Sequence, residues 1–535
     1  MRLRRRSRIA LALLASSFCV AASSAAPMTE RLVQAIAEQR VTTVERALEL
    51  LSPSLRSRFA LVFNSRSLQE ASFSDPRAVL FGNDARFVVT FNGKADQPGF
   101  NALEIMEFDD QGSRFEFREI LFPDGTAQAD RVVVSEANPA KCAACHGQPL
   151  RPVWDTYPTW PGAYGEQYRA PLARTELDGL KGFLKAQPTH PRFQSLKNVE
   201  LFADPNSFVP TARVLYAGME TEPPNAVLSR LLATLSARMI AHEVASAPQF
   251  QAYRYALLGA LSKDCGQIDA YFTESFGKAL APGLARFSER STGATAQQLA
   301  LKSLRLQPGG RGPADRSSAD VERLDTFRFL AEALLGISTT QWTPSLEKDT
   351  FDFSSPQPFA VELDSQLRAI VAGSDASIQD LASLRDVGAG PRYCRYLQAR
   401  SRAMTRELRV DEAVLAARQR LANRTAALTM SLDAAGRPGA LKTCVACHEG
   451  GVGPKLPLAA SEELQKQLAT GGYPHGTLIS EILFRLSPEA GQGRMPRGKI
   501  LSDDDRKALE AYFRGLVASA ASEAPLRQGG GKQGP

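Results

Sequence analysis

A chain of 535 residues with 44% apolar and 23% charged content can build roughly two to four domains, each with its own core, and is neither disordered nor fibrous. Its formal charge of +7 would fit a nucleic-acid or anionic-membrane partner if it were spread along the chain, but Arg2, Arg4, Arg5, Arg6 and Arg8 all lie in the first eight residues. Without those five the +7 becomes +2, no basic patch remains, and nucleic acid is not an expected partner.

The arginines open a secretory pattern over residues 1–26: a basic start, an apolar run from Ile9 to Val20, then small residues from Ala21 to Ala26. The run is too short to span a bilayer, and no other apolar stretch reaches that length, so the mature chain is expected to have no transmembrane segment and to be exported to the periplasm. Cys19 follows the bulky Phe18, a poor context for a lipid anchor.

The mature part opens with helical spacing over residues 28–52, where Thr29 and Thr42 are the expected caps. Three β-rich runs follow at Arg86–Phe91, Ala102–Phe108 and Arg114–Arg118. Asn92-Gly93, Pro98-Gly99 and Asp110-Gln111-Gly112 punctuate them, which predicts a small antiparallel meander. Directly after Asn138-Pro139 comes Cys142-Ala143-Ala144-Cys145-His146. In this spacing two thiols can bond to the vinyl groups of a haem while the next residue coordinates its iron. The pattern returns as Cys444-Val445-Ala446-Cys447-His448, so two covalently attached c-type haems are expected.

Past His146 a loop carries Pro152, Trp154, Tyr157, Pro158, Trp160, Pro161, Tyr164 and Tyr168, including two of the three tryptophans. Such flat, rigid side chains either pack on a haem face or fill an ordinary domain contact. From about Leu172 to Met430 the pattern is helical, with breaks at 307–318 and 343–358. Along Asn225–Val244, the residues Leu228, Leu232, Leu235, Met239 and His242 form one apolar stripe. Once the leader is removed, Cys265 and Cys394 remain outside the two motifs, and an even remainder in an oxidising compartment predicts a disulfide.

The stretch from Leu432 to Val517 resembles a class I cytochrome c. The resemblance rests on Cys444, Cys447 and His448, then Gly453-Pro454, then Arg494-Met495-Pro496, then a terminal helix opened by Ser502 and Asp503-Asp504-Asp505. It implies thioether bonds from Cys444 and Cys447, His448 as proximal ligand and Met495 as distal ligand, with His475 the competing residue. The usual amino-terminal helix of the module is not evident beside Cys444, and residues 411–430 are the candidate for it.

The fold expected is therefore mainly α, with a small β meander near the N-terminus and a cytochrome c-like helical domain at the C-terminus. The divisions are a leader at 1–26, an α+β domain at 27–170 holding the first motif, a helical middle at 171–431, the cytochrome-like domain at 432–518 and a flexible tail at 519–535, Gly-rich from Gln528. For the first haem the motif defines only Cys142, Cys145 and His146. The sixth position is open among His190, His242, Met239, Met219 and no residue. If both irons are six-coordinate, the protein relays electrons to a redox protein partner. If the first iron is open, it resembles the di-haem peroxidases, although the gap from Cys142 to Cys444 and the preceding sheet fit that family poorly. A haem sensor or structural role is the third class. A zinc site from the four thiols, or a thioredoxin-like role, would leave the histidine after each pair without a use.

Overall fold

The computed structural model describes residues 26–63, 71–123, 131–139, 141–142, 146, 149–152, 163–164, 174–203, 224–262, 265, 268–278, 280, 323–324, 326–337, 339, 356–378, 380, 390–406, 408, 438, 440–448, 456–458, 461–487, 489–490, 495, 501 and 503–523. Residues 1–25 of the leader, residues 524–535 of the tail, the tryptophans of the aromatic loop, Cys145, Met219, residues 411–430, Ser502 and both expected breaks in the helical middle, apart from Pro356–Pro358 at the start of a helix, lie outside them, and residues 519–523, expected in the tail, continue the last helix. The described chain is mainly helical around one antiparallel sheet near the N-terminus.

Six strands run in sequence order across that sheet: β1 Phe59–Val62, β2 Arg77–Phe81, β3 Phe87–Phe91, β4 Ala102–Asp109, β5 Arg114–Leu121 and β6 Val133–Val134. Alternation assigns side chains to two faces. Phe59, Leu61, Ala78, Leu80, Val89, Phe91, Leu103, Ile105 and Ile120 point into one core. Ala60, Val62, Val79, Phe81, Val88, Met106, Phe108, Phe115 and Phe117 point into another. Because both faces are covered, β1 and β2 are buried along their whole length.

The first core is closed by α1 Met28–Glu38, α2 Val44–Leu50 and α3 Pro53–Arg56, and by α4 Arg174–Ala186 with the turns that follow it. Residues 174–203, read from sequence as the start of the helical middle, thus complete the sheet's own core through Leu180, Phe183, Phe193 and Phe202. Thr29 does not cap α1. Its backbone N–H and that of Met28 both donate to the carboxylate of Glu107 on β4, so a strand residue distant in sequence supplies the cap. The α2 cap is Thr43, one residue beyond the expected Thr42, and its hydroxyl accepts from the Arg46 N–H at 3.3 Å.

The second core belongs jointly to the sheet and to α5 Pro224–Ala245, α6 Phe250–Leu261, α7 Pro356–Ala372 and α8 Gly390–Thr405. Cys265 and Cys394 form the expected disulfide, buried and 4.9 Å apart at Cα, fastening the segment after α6 to α8. Closing a loop of 129 residues restricts the unfolded chain by about 5 kcal/mol on the chain-entropy account.

A third, smaller core joins α9 Leu441–His448, α10 Ser461–Leu468, α11 Leu478–Leu486 and α12 Asp503–Glu523, with the hairpin β7 Gly471–Tyr473 and β8 Gly476–Thr477 at its edge. Among the described residues, no helix is long and apolar enough to cross a membrane.

Candidate haem-binding sites

The first motif is stitched to the sheet edge by its own lead-in. Asn138 takes the left-handed conformation (φ +59°), which asparagine tolerates better than most residues. Its side-chain oxygen accepts from the Phe117 N–H, and its own N–H donates to the Phe117 carbonyl, both at 2.8 Å. One residue thereby satisfies both backbone groups of Phe117, where the short β6 no longer reaches. The Cys142 N–H then donates to the Pro139 carbonyl at 2.8 Å, and Lys141 pairs with buried Glu119 of β5.

This lead-in delivers Cys142 to the core between sheet and helices and sets the His146 ring 4.2 Å from the ring of Phe117. His146 Nδ1 is 2.7 Å from the carbonyl oxygen of Arg151. A carbonyl only accepts, so Nδ1 carries the proton and Nε2 keeps a free lone pair, the state required of a metal-ligating histidine. Burial, against the opposing pull of that carbonyl and of Glu104, pushes the ring's pKa down to about 4, so it is neutral at physiological pH.

An unfolded imidazole takes up its proton near 6.5 and this one only near 4, so the unfolded state binds the proton first as pH falls. The stability supplied by this group is complete above pH 6.5 and is lost between 6.5 and 4, about 3 kcal/mol in all. Chain prepared without haem is expected to lose about 2–3 kcal/mol between pH 7 and about pH 4.5 that a His146→Gln variant does not lose. Denaturant unfolding at the two pH values checks this, and equal losses in both proteins would contradict a ring held neutral in the folded state.

His190 lies on the other side of the sheet, where its ring stands 4.3 Å from that of Phe193. Its Nδ1 accepts from the N–H groups of Arg192 and Phe193, each at 3.2 Å, and its ring also hydrogen-bonds the Gly93 backbone. Nδ1 is an acceptor, so Nε2 carries the hydrogen. This is the tautomer opposite to that of His146, and it suits a turn cap rather than an iron ligand. His242 departs from the expected stripe. Leu228, Leu232, Leu235 and Met239 are buried as expected, but His242 is exposed in the last turn of α5. Met239 shares the core that receives Cys142.

In the C-terminal unit, α9 carries Cys444 against the third core and ends at half-buried His448. The side chain of Cys447 is outside the described residues. The Met495 N–H donates to the Arg485 carbonyl at 2.7 Å, which hangs the methionine on the end of α11. The same helix holds His475, whose Nδ1 is 2.6 Å from Glu481 and whose ring stacks on Phe484 at 3.6 Å, so its Nε2, like that of His146, keeps the lone pair. Glu481 also accepts from Arg485 at 2.6 Å, and these bonds hold its carboxyl below the usual range although burial pulls it up. α9 and α11 meet in one core through Leu441, Cys444, Leu478 and Leu486.

Sequence reasoning had no signal for the Arg151 carbonyl, for Phe117 beneath the imidazole, or for the Asn138 bridge. All three depend on which strand the motif lies against. Among the described residues, no three His, Cys, Asp or Glu side chains converge on a bare metal ion. Comparison with models of protein families, with curated proteins and with solved structures returned no match.

Proposed function

We propose that this chain is an exported di-haem c-type cytochrome that passes electrons to a protein partner. The observation that carries the reading is the state of His146: beside Cys142 in Cys-x-x-Cys-His spacing, its Nδ1 is committed to the Arg151 carbonyl and its Nε2 is left to coordinate. Cys142, Cys145, Cys444 and Cys447 would hold the two haems, His146 and His448 would be the proximal ligands, and Met495 the distal ligand of the second. When bound, each haem would supply a one-electron iron couple.

The protein's own part is to orient and to shield. Phe117 limits the tilt of the His146 imidazole, and the sheet and helical layers keep water from the core beside Cys142. Met495 is read as the distal ligand because it stands in the Arg494-Met495-Pro496 context and its N–H is fastened to the end of α11, whereas His475, its Nδ1 on Glu481, is the competing residue. The Cys265–Cys394 disulfide and the basic-apolar leader both support an oxidising, exported location, taken here as the periplasm.

An electron paramagnetic resonance spectrum of the oxidised protein tests relay against catalysis. Two low-spin signals are expected. A high-spin signal from one haem would replace the relay with a peroxidase-type reading, in which the first iron is open to substrate.

A further inference from the structure

The sheet face that carries Phe117 also bears a row of charges that packing does not require. Register places Thr90 opposite Glu104 and Glu104 opposite Glu119, so two carboxylates face one another directly across β4 and β5. Like charges in that position are unfavourable, and each is matched by a cation: Arg77 of β2 bonds Glu104 and Thr90, and Lys141, next to Cys142, bonds Glu119. Arg77 and Glu119 are buried. An ion-pair row in such a place adds little net stability over apolar residues of the same size.

Its position relative to the first motif is defined by the same register. Met106 is the direct partner of Phe117, so Glu104, two residues back on the same face, is the diagonal neighbour of Phe117, roughly 7–8 Å away. The His146 ring rests on Phe117, with 4.2 Å between the ring centres, so the charged row lies one residue pair along the sheet from the ring.

We propose that Glu104 and Arg77 are positioning residues that set the reduction potential of the first haem, Glu104 by stabilising the oxidised iron and Arg77 by offsetting it. The proposal rests on the di-haem reading. A unit charge near a haem, acting across a partly buried path, changes a one-electron equilibrium by about tenfold, which corresponds to about 59 mV.

The test is a spectroelectrochemical titration of the haem-loaded full chain, resolved into its two waves, with the haem content of each sample measured alongside. Glu104→Gln keeps the shape and the hydrogen bonds and is expected to raise the potential of the first haem by about tenfold in the equilibrium. Arg77→Gln is expected to lower it, and the double variant to return close to the parent. The second haem, held in a separate core, is the internal reference and stays in place. A first wave that does not move in Glu104→Gln, or moves downward, overturns the proposal, and this holds even if Arg77→Gln does not fold. Fewer than two haems in the parent protein would instead overturn the di-haem reading.

Discussion

Replacing Met495 with alanine is expected to abolish the methionine-to-iron charge-transfer band of the oxidised protein while leaving two haems per chain. The residue is held by its backbone, through the bond from its N–H to the Arg485 carbonyl, so removing the thioether does not undo the segment that presents it. Its side chain is only half-buried, and the cavity cost is correspondingly modest. Loss of a thioether ligand also lowers the potential of the second haem, because His/Met ligation favours the reduced iron more than a nitrogen or water ligand does. Persistence of the band would assign the ligand to another methionine. Visible spectra of the two proteins decide the point.

Arg192→Met is expected to destabilise the sheet unit by about 3–5 kcal/mol. The guanidinium is 2% exposed and fastens three separate segments. Nε donates to Glu45 of α2 at 2.6 Å, Nη1 donates to the carbonyls of Asn92 (2.8 Å) and Phe100, and the group lies over the Phe100 ring at 3.3 Å. Burial pulls the guanidinium's pKa down and Glu45 pulls it back, while Arg192 holds the Glu45 carboxyl below its ordinary value against burial. Methionine fills much of the volume but leaves two carbonyls and a carboxylate without their donor. Lysine keeps the charge yet cannot reproduce the fork, so Arg192→Lys is expected to recover only part of the loss. Denaturant midpoints measure both variants, and a loss below about 1 kcal/mol for methionine would contradict this account of the core.

How far the sequence could be read depended on what surrounds each residue. β3, β4 and β5 were visible because turn residues bracket them, whereas Phe59-Ala60-Leu61-Val62 and Arg77–Phe81 are covered on both faces. Runs of that kind carry no alternation to separate strand from helix, and β6 is only two residues long. Spacing placed His242 in line with Leu228 and Met239, but spacing cannot tell which turns of a stripe are covered, and His242 is exposed. The cap on α1 comes from Glu107, some 78 residues away, a distance at which local cap rules have no reach. Cysteine parity was sufficient for the disulfide, since Cys265 and Cys394 alone stand outside both the motifs and the expected leader.

The candidate sites divide in the same way. The candidate thiols and histidines come from their spacing alone, and the candidate Met495 from the resemblance of its surroundings. The difference between His146 and His190 was not legible. Both are half-buried histidines near a proline, and they differ in which ring nitrogen faces a carbonyl and which faces N–H groups. That distinction arises only when Arg151 and Arg192 have been folded into place.

The central claim is two covalent haems on one chain, and a pyridine haemochrome assay on the exported mature protein tests it most directly. Two haems per polypeptide, retained after denaturation and lowered to one by Cys142→Ala with Cys145→Ala, is the result expected. One haem or none per chain in the parent protein would contradict the account.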